Sequence, residues 1–432
     1  MNGIFFGIVF IAFIIATWRQ FTWIPTADMV SPMDALSKAI IDSAGTSVNI
    51  AIGLIGVMAL FLGLMKIAEA GGMLTVIARL IRPLMVWLFP EVPPEHPAMG
   101  AMILNISANA LGLGNAATPF GIRAMQALET LNKHPGTATD AMVLFLAINT
   151  SSVTLLPTSI IALRAAAGSS DPAGILPSTL FATICSTAVA IMAAKWYRQF
   201  FPIEATKFTN PEPQLEPNTN PKTKATTAPE IPNAYPLWVS ILTFSILLSI
   251  VPVTIIYGKQ ISPWIIPSLM VFFLGFGILR KVAIYEIFVE GAKEGFQVAM
   301  RIIPYLVAIL VAVGMFKASG AMDILVSTIG PFTTLVGLPA EALPMALLRP
   351  LSGSGAFGLV TSIIENPAIG PDSFIGYLVS TLQGSTETTF YVIAVYFGAV
   401  QIRKFRHALA AALTADLAGI IAAVAICNYL FR

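Results

Sequence analysis

The 432 residues are 56% hydrophobic and 11% charged, with a formal net charge of +2, against about 25% charged residues in an ordinary soluble domain. With a mean hydropathy of +0.81, this excludes a soluble globular chain and makes the bilayer the solvent for most of the protein. A net charge so near zero gives no field for nucleic acid, so the expected partners are membrane lipid and a small-molecule solute, with a homo-oligomer left open.

In chain order, the first apolar run, 3–17, lacks a basic start and a small-residue cleavage site ahead of Trp18 and Arg19, so it reads as a retained helix. A charged amphipathic segment, 34–43, precedes a span at 48–65. The stretch 72–89 carries Arg79 and Arg82 one turn apart, the pattern of an interfacial helix; if it crosses the bilayer instead, the repeats described below become parallel. Spans follow at 141–163 and 176–196. Residues 201–235, rich in Pro, Thr, Asn, Glu and Lys, cannot bury a core and are expected to stay extended. Beyond them lie spans at 237–257 and 264–279, an amphipathic segment at 286–296, and spans at 298–316, 374–400 and 407–430.

The halves present the same order of events, so three units are expected: a first membrane repeat at 1–200, a cytoplasmic linker at 201–235 and a second repeat at 236–432. The linker's place inside follows from the basic residues that flank the spans on its side, among them Lys195, Arg198, Arg280, Arg403 and Lys404. An odd number of crossings separates the repeats. The expected fold is therefore an all-α polytopic transmembrane protein with two repeats, the second inverted, each carrying a re-entrant hairpin and an amphipathic helix.

Four polar constellations stand out against the apolar spans. Asn105, Ser107, Asn109, Gly112, Gly114, Asn115 and Pro119 suit a hairpin with a broken tip, because Asn105 and Asn109 share a helix face while the glycines and proline free backbone groups. Close helix packing with amides as glue is the plainer alternative. Arg349, Ser352 and Ser354 form the counterpart in the second half, with Arg349 at the place of Asn105; it reads an anionic group, holds a carboxylate, or snorkels to an interface at the hairpin base. Within the long helices lie Asn149, Thr150, Ser151, Ser152 and Thr154, and then Gln383, Ser385, Thr386, Glu387 and Thr388. Aligning Asn149 with Gln383 superposes the hydroxyls. Glu387, read as the one carboxylate in these clusters, is either a functional acid or a packing element.

At these residues the sequence resembles a known family. The run 109–121, Asn-Ala-Leu-Gly-Leu-Gly-Asn-Ala-Ala-Thr-Pro-Phe-Gly, is similar to bacterial spore maturation protein A. Arg349-Pro-Leu-Ser-Gly-Ser-Gly-Ala and Gln383-Gly-Ser-Thr-Glu-Thr-Thr-Phe-Tyr are similar to spore maturation protein B, the two being fused here through the linker. Both belong to the nucleoside-recognition, or Gate, domain group, which includes parts of concentrative nucleoside transporters and ferrous-iron transporters. The resemblance implies a bacterial cytoplasmic membrane protein. The string from Gln383 to Glu387 is similar to a nucleobase- and ribose-contacting hairpin motif of those transporters, but lies here in what reads as a continuous helix.

The expected function is secondary transport of a small polar solute, nucleoside-like or small anionic or aromatic, coupled to H+ or Na+. The candidate substrate-binding residues are Asn105, Asn109, Asn115, Asn149, Ser151, Arg349, Ser352, Ser354, Gln383, Ser385, Thr386 and Glu387. A membrane scaffold of the spore-maturation type is the alternative. An enzyme is not expected, since Ser354 and Ser385 have no histidine base in a helix centre. Nor is a cofactor or metal, since His96, His134 and His407 lie far apart.

Overall fold

The computed structural model describes residues 2–24, 30–202 and 235–432, so most of the stretch read as a linker lies outside it. The described chain is helical: α1 (Asn2–Thr22), α2 (Pro32–Ala70), α3 (Met73–Leu88), α4 (Pro97–Ala110), α5 (Gly114–Glu129), α6 (Asp140–Ser151), α7 (Thr158–Ala166) and α8 (Leu176–Tyr197) in the first half. The second half holds α9 (Leu237–Leu279), α10 (Ile284–Ala318), α11 (Ala321–Thr334), α12 (Leu343–Leu348), α13 (Gly353–Ile364), α14 (Phe374–Ser385), α15 (Thr389–Gly398) and α16 (Ala408–Phe431). Among the described residues four segments are long and apolar enough to cross a membrane: Phe5–Thr22, Pro32–Ala70, Leu176–Phe200 and Ala408–Phe431. The chain is an all-α, multi-pass membrane protein.

Several expected boundaries move. The amphipathic segments 34–43 and 286–296 are not separate helices but the first turns of α2 and α10. The break expected between 257 and 264 is absent. Lysine and glutamine are good helix formers and a short polar interval does not interrupt the hydrogen-bond ladder, so α9 runs through as one helix of 43 residues. The two spans 141–163 and 374–400 are each broken in the middle, α6 from α7 and α14 from α15. With α9 unbroken and these spans divided, the crossing count no longer stands.

The two halves share several local features. Gly72 at φ +80° and Gly320 at φ +83° start α3 and α11 in the left-handed region that only glycine enters without strain, and Pro83 and Pro331 lie at the same distance into each helix. Thr139 and Ser373 cap α6 and α14, each 12 residues long, through bonds to Met142 N and Gly376 N.

Corresponding helices also pack on each other. On α10, Gly291 and Gly295 leave no room for side chains: a Cβ on Gly295 would lie 2.6 Å from Ala59 Cα, and one on Gly291 2.6 Å from Leu62 O. Such small-xxx-small spacing brings membrane helices into backbone contact. Since Gly314 faces Ser43, Gly295 faces Ala59 and Gly63 faces Phe288, α2 and α10 run antiparallel. So do α8 and α16. Ser178 and Cys427 meet on Thr381, Ser186 donates to Ala415 O, and His407 bonds the Ala194 backbone.

Both large cores draw on both halves. One joins α4, α5 and α6 to Val392–Phe397 and the start of α16, the other joins α2 and α7 to α13, α14 and the end of α16. Two ion pairs pin the starts of the broken helices. Arg164, fully buried on α7, reaches Asp372 at 3.0 Å just before α14, and Arg406 reaches Asp140 at 2.6 Å in the first turn of α6.

Candidate functional site: two helix breaks over a polar cavity

The helices break where the hydroxyl clusters lie. After Ser151 the chain turns out of helix at Ser152 (φ −24°, ψ 119°) and re-enters only past Pro157, whose missing N–H cannot continue the ladder. After Ser385 it extends at Thr386 (φ −145°, ψ 166°) and restarts at Thr389, within a β-branched, hydroxyl-rich run that favours extended backbone and side-chain bonding to it. The two breaks touch: Glu387 N donates to Thr150 O at 2.8 Å, and Thr187 on α8 donates to Ser151 O at 2.7 Å. Gly384 permits α14 to approach α8, a Cβ there falling 2.7 Å from Thr179 Cγ2.

Arg349, 5% exposed, occupies the second break. Its Nε donates to Gln383 O and its Nη1 to Thr388 Oγ1, both at 3.0 Å, and its Nη2 to Thr386 O. Carbonyls at a helix C-terminus have no intrahelical partner and carry the negative end of the helix dipole, so a guanidinium suits the place. Nη2 also lies 3.6 Å from Glu387 Oε2, and that carboxylate is half-exposed to the cavity beside it. Arg349 is therefore held inside, and does not snorkel.

The first break is held by amides and one phenol. Asn105 Nδ2 donates to Ala117 O at 2.8 Å and to Tyr396 OH at 3.0 Å. Tyr396 donates to Asn149 Oδ1 at 3.2 Å, and Asn109 Nδ2 donates to the same oxygen at 2.9 Å. Asn105, aligned with Arg349 on the sequence, thus closes the α4–α5 hairpin while Arg349 closes the end of α14.

The breaks open on a cavity of about 520 Å³. Of the expected residues, Asn109, Arg349, Gln383 and Glu387 line it, and Asn149 stands behind Asn109. Others serve the helices themselves. Ser151 and Ser385 bond back to Ala147 O and Leu382 O, Ser352 caps α13 through Gly355 N, and Thr386 gives its carbonyl to Arg349. Ser354 is exposed on α13 and off the lining. Asn115 lies in the first turn of α5, its side chain outside what the structure describes. The string from Gln383 to Glu387 is not in a continuous helix: it forms the C-terminal turn and break of α14.

The opposite wall was not expected to contribute. Lys66 on α2 donates to Glu294 Oε1 on α10 at 2.9 Å and lies 3.6 Å from Glu69 Oε2; all three line the cavity with Thr154, Thr158 and Ser159. On the sequence Lys66 and Glu69 look like the end of an apolar span and Glu294 like an interfacial face. The spacing of Glu290 and Glu294 after Glu286, one helix face of acids leading into an apolar run, was the signal available.

Helices broken at polar segments that meet over a charged cavity, within an all-α multi-pass chain, define a membrane protein with a polar internal cavity. The nucleoside recognition domain named Gate matches residues 51–167 and 299–403, more than half of the chain, and the chain belongs to that family. Spore maturation protein B of Bacillus subtilis strain 168 is 49% identical over 166 residues, covering 38% of this chain and 92% of that protein. Spore maturation protein A of the same organism is 43% identical over 162 residues, covering 38% of this chain and 83% of that protein. Inner membrane protein YjiG of Escherichia coli K12 is 31% identical over 87 residues, 20% of this chain and 57% of that protein. No solved structure matches the chain. The resemblance read from the motifs at 109–121, Arg349 and Gln383 is borne out.

Proposed function

We propose that the protein is a secondary transporter of a small polar solute, nucleoside-like or small anionic or aromatic, in the bacterial cytoplasmic membrane. The observation that carries this reading is the meeting of the two helix breaks over the cavity. Irregular backbone at membrane depth is tolerated where it lines a water-filled space or is buried in protein, and discontinuous helices at such a place are how secondary transporters bind substrate and coupling ion. The facing charges of Arg349 with Glu387 and of Lys66 with Glu69 and Glu294 suit a solute that carries both donors and acceptors. The antiparallel pairing of corresponding helices supports inversion of the second half relative to the first, and the name inner membrane protein borne by YjiG supports the location.

A scaffold without transport is the second reading, favoured by the full use of Arg349 in bonds to backbone carbonyls and Thr388 and by relatives named for spore maturation. Uptake by proteoliposomes separates the two. Nucleosides, aromatic carboxylates, amino acids and divalent metals are offered with and without proton and sodium gradients; gradient-dependent accumulation of one class supports transport. Silence across the panel from correctly inserted, folded protein leaves the scaffold.

A further inference from the structure

Behind the second break, off the cavity lining, a carboxylate is buried that the site described above does not use. Asp416 lies in the middle of α16, 2% exposed. Its Oδ2 accepts a hydrogen bond of 2.7 Å from the Thr389 hydroxyl, in the first turn of α15. Its Oδ1 is buried and has no partner among the described residues, and no cationic side chain lies within ion-pair distance of it there. One hydrogen bond is a meagre replacement for the water a carboxylate loses at membrane depth, and proteins meet that cost by neutralising the group or giving it a cation.

Among the described residues, the elements packed on α16 bring no other acid or base into contact with it. On α8, Ser186 faces this turn through its bond to Ala415 O, while Lys195 lies over Trp87 near the helix end. On α6, Asp140 is paired with Arg406; on α14, Tyr377 bonds Asp171. On α15, Tyr396 is bonded to Asn105 and Asn149, and Tyr391 is exposed. The break itself brings Glu387, paired with Arg349, and the field of Arg349 reaches Asp416 without contact. His407 and Cys427 stand toward the two ends of α16.

We propose that Asp416 is a proton-binding site and that its proton is the coupling ion, a role that rests on the transport reading above. The proton is taken from water onto Oδ1 in one conformation and returned to water on the other side of the membrane, leaving the carboxylate. A sodium ion needs a cage of oxygens, whereas among the described residues the Thr389 hydroxyl is the one side-chain group bonded to this carboxylate. The coupling is built into the packing. Thr389 ends the break on one side, and Thr386 at its other side packs against Gly419, where a Cβ would lie 2.7 Å from Thr386 Cγ2. A change of charge at Asp416 therefore acts on both ends of the segment 386–388, whose Thr386 carbonyl and Thr388 hydroxyl hold Arg349 against Glu387. The segment that senses the proton thus also sets the position of Arg349 and Glu387 on the cavity wall.

Infrared difference spectroscopy of the full-length protein in lipid nanodiscs, titrated with acid and base in sodium-free buffer, reads the carboxyl directly and needs no substrate. The expected result is a protonated carboxylic acid band at neutral pH that disappears in alkali, shifts in aspartate-labelled protein and is missing from Asp416→Asn. Since the label marks every aspartate, Asp416→Glu is the second variant: there the band must lose its aspartate-label shift, which assigns it to this position even if Asp416→Asn does not fold. An Asp416 already ionised at neutral pH overturns the proposal. So does a band abolished by sodium at constant pH, which marks a sodium site instead. If the band behaves as expected but no solute is carried, the transport reading fails and the proton site stands; if a solute is carried and Asp416→Asn keeps its proton-gradient dependence, the coupling role fails alone.

Discussion

Arg349 shows how one side chain fixes the site. It closes the carbonyl end of α14 and holds Glu387 at the cavity wall, so Arg349→Ala leaves buried acceptors without donors. We expect a loss of about 4 to 5 kcal/mol in stability, since hydrogen bonds to charged groups are worth at least about 1.5 kcal/mol each and Arg349 makes three. Arg349→Lys keeps the charge without the planar fork and should fall between. Thermal unfolding in detergent measures both; an unchanged midpoint for the alanine variant would contradict the clamp. Arg349, Asn109, Gln383 and Glu387 were legible in the sequence because amides and charges inside apolar runs are costly unless used. Ser151, Ser352 and Ser385 carried the same signal for another reason: hydroxyls at helix ends bond the nearest backbone group, which sequence does not separate from ligand binding. Asp416 is, like Glu387, a carboxylate inside an apolar run, but it stands among alanines with no polar cluster around it in sequence, while Tyr396 looks like any membrane-facing aromatic until the fold brings it to Asn105 and Asn149.

Among the elements, the α2–α10 pair and the two breaks decide the architecture. Gly295 presses on the Ala59 backbone, so Gly295→Leu must push the two helices apart and with them Lys66 from Glu294. Size-exclusion chromatography of the purified variant should show loss of folded protein, whereas substitution of the loosely surrounded Gly275, which has nothing within 4 Å of its would-be Cβ, should not. Equal behaviour of the two variants would refute the close approach. The helical class and the hairpin around Asn105 to Pro119 are readable from apolar runs and glycine placement. The breaks were not, although Pro157 announced the first. The second contains no proline between Gln383 and Thr389 and depends on Arg349, remote in sequence, to stabilise the opened carbonyls. α9 failed in the opposite sense, since Lys259 and Gln260 read as a loop and the helix continues through them.

For the whole molecule, the antiparallel course of α8 and α16 has a consequence that no crossing count is needed to reach. Residue Tyr197, leading into the linker, and Arg432 end these helices at opposite membrane faces. With the basic flanks inside, a single cysteine at Thr219, in a protein without Cys185 and Cys427, should resist a membrane-impermeant thiol reagent applied to intact cells, and one at Arg432 should react. Labelling of both would contradict the inverted arrangement. In the proposed function the two breaks and their charged cavity carry a solute. Glu387, the half-exposed carboxylate on that cavity, is the group whose neutralisation tests it with least disturbance, because Arg349 keeps its bonds to the backbone of α14. The direct measurement is gradient-driven uptake by proteoliposomes holding equal amounts of folded wild-type and Glu387→Gln protein, across a range of pH and sodium. The Glu387→Gln variant should insert normally and lose uptake or its dependence on the gradient; uptake equal to wild type under every condition would rule out a transport role for this cavity.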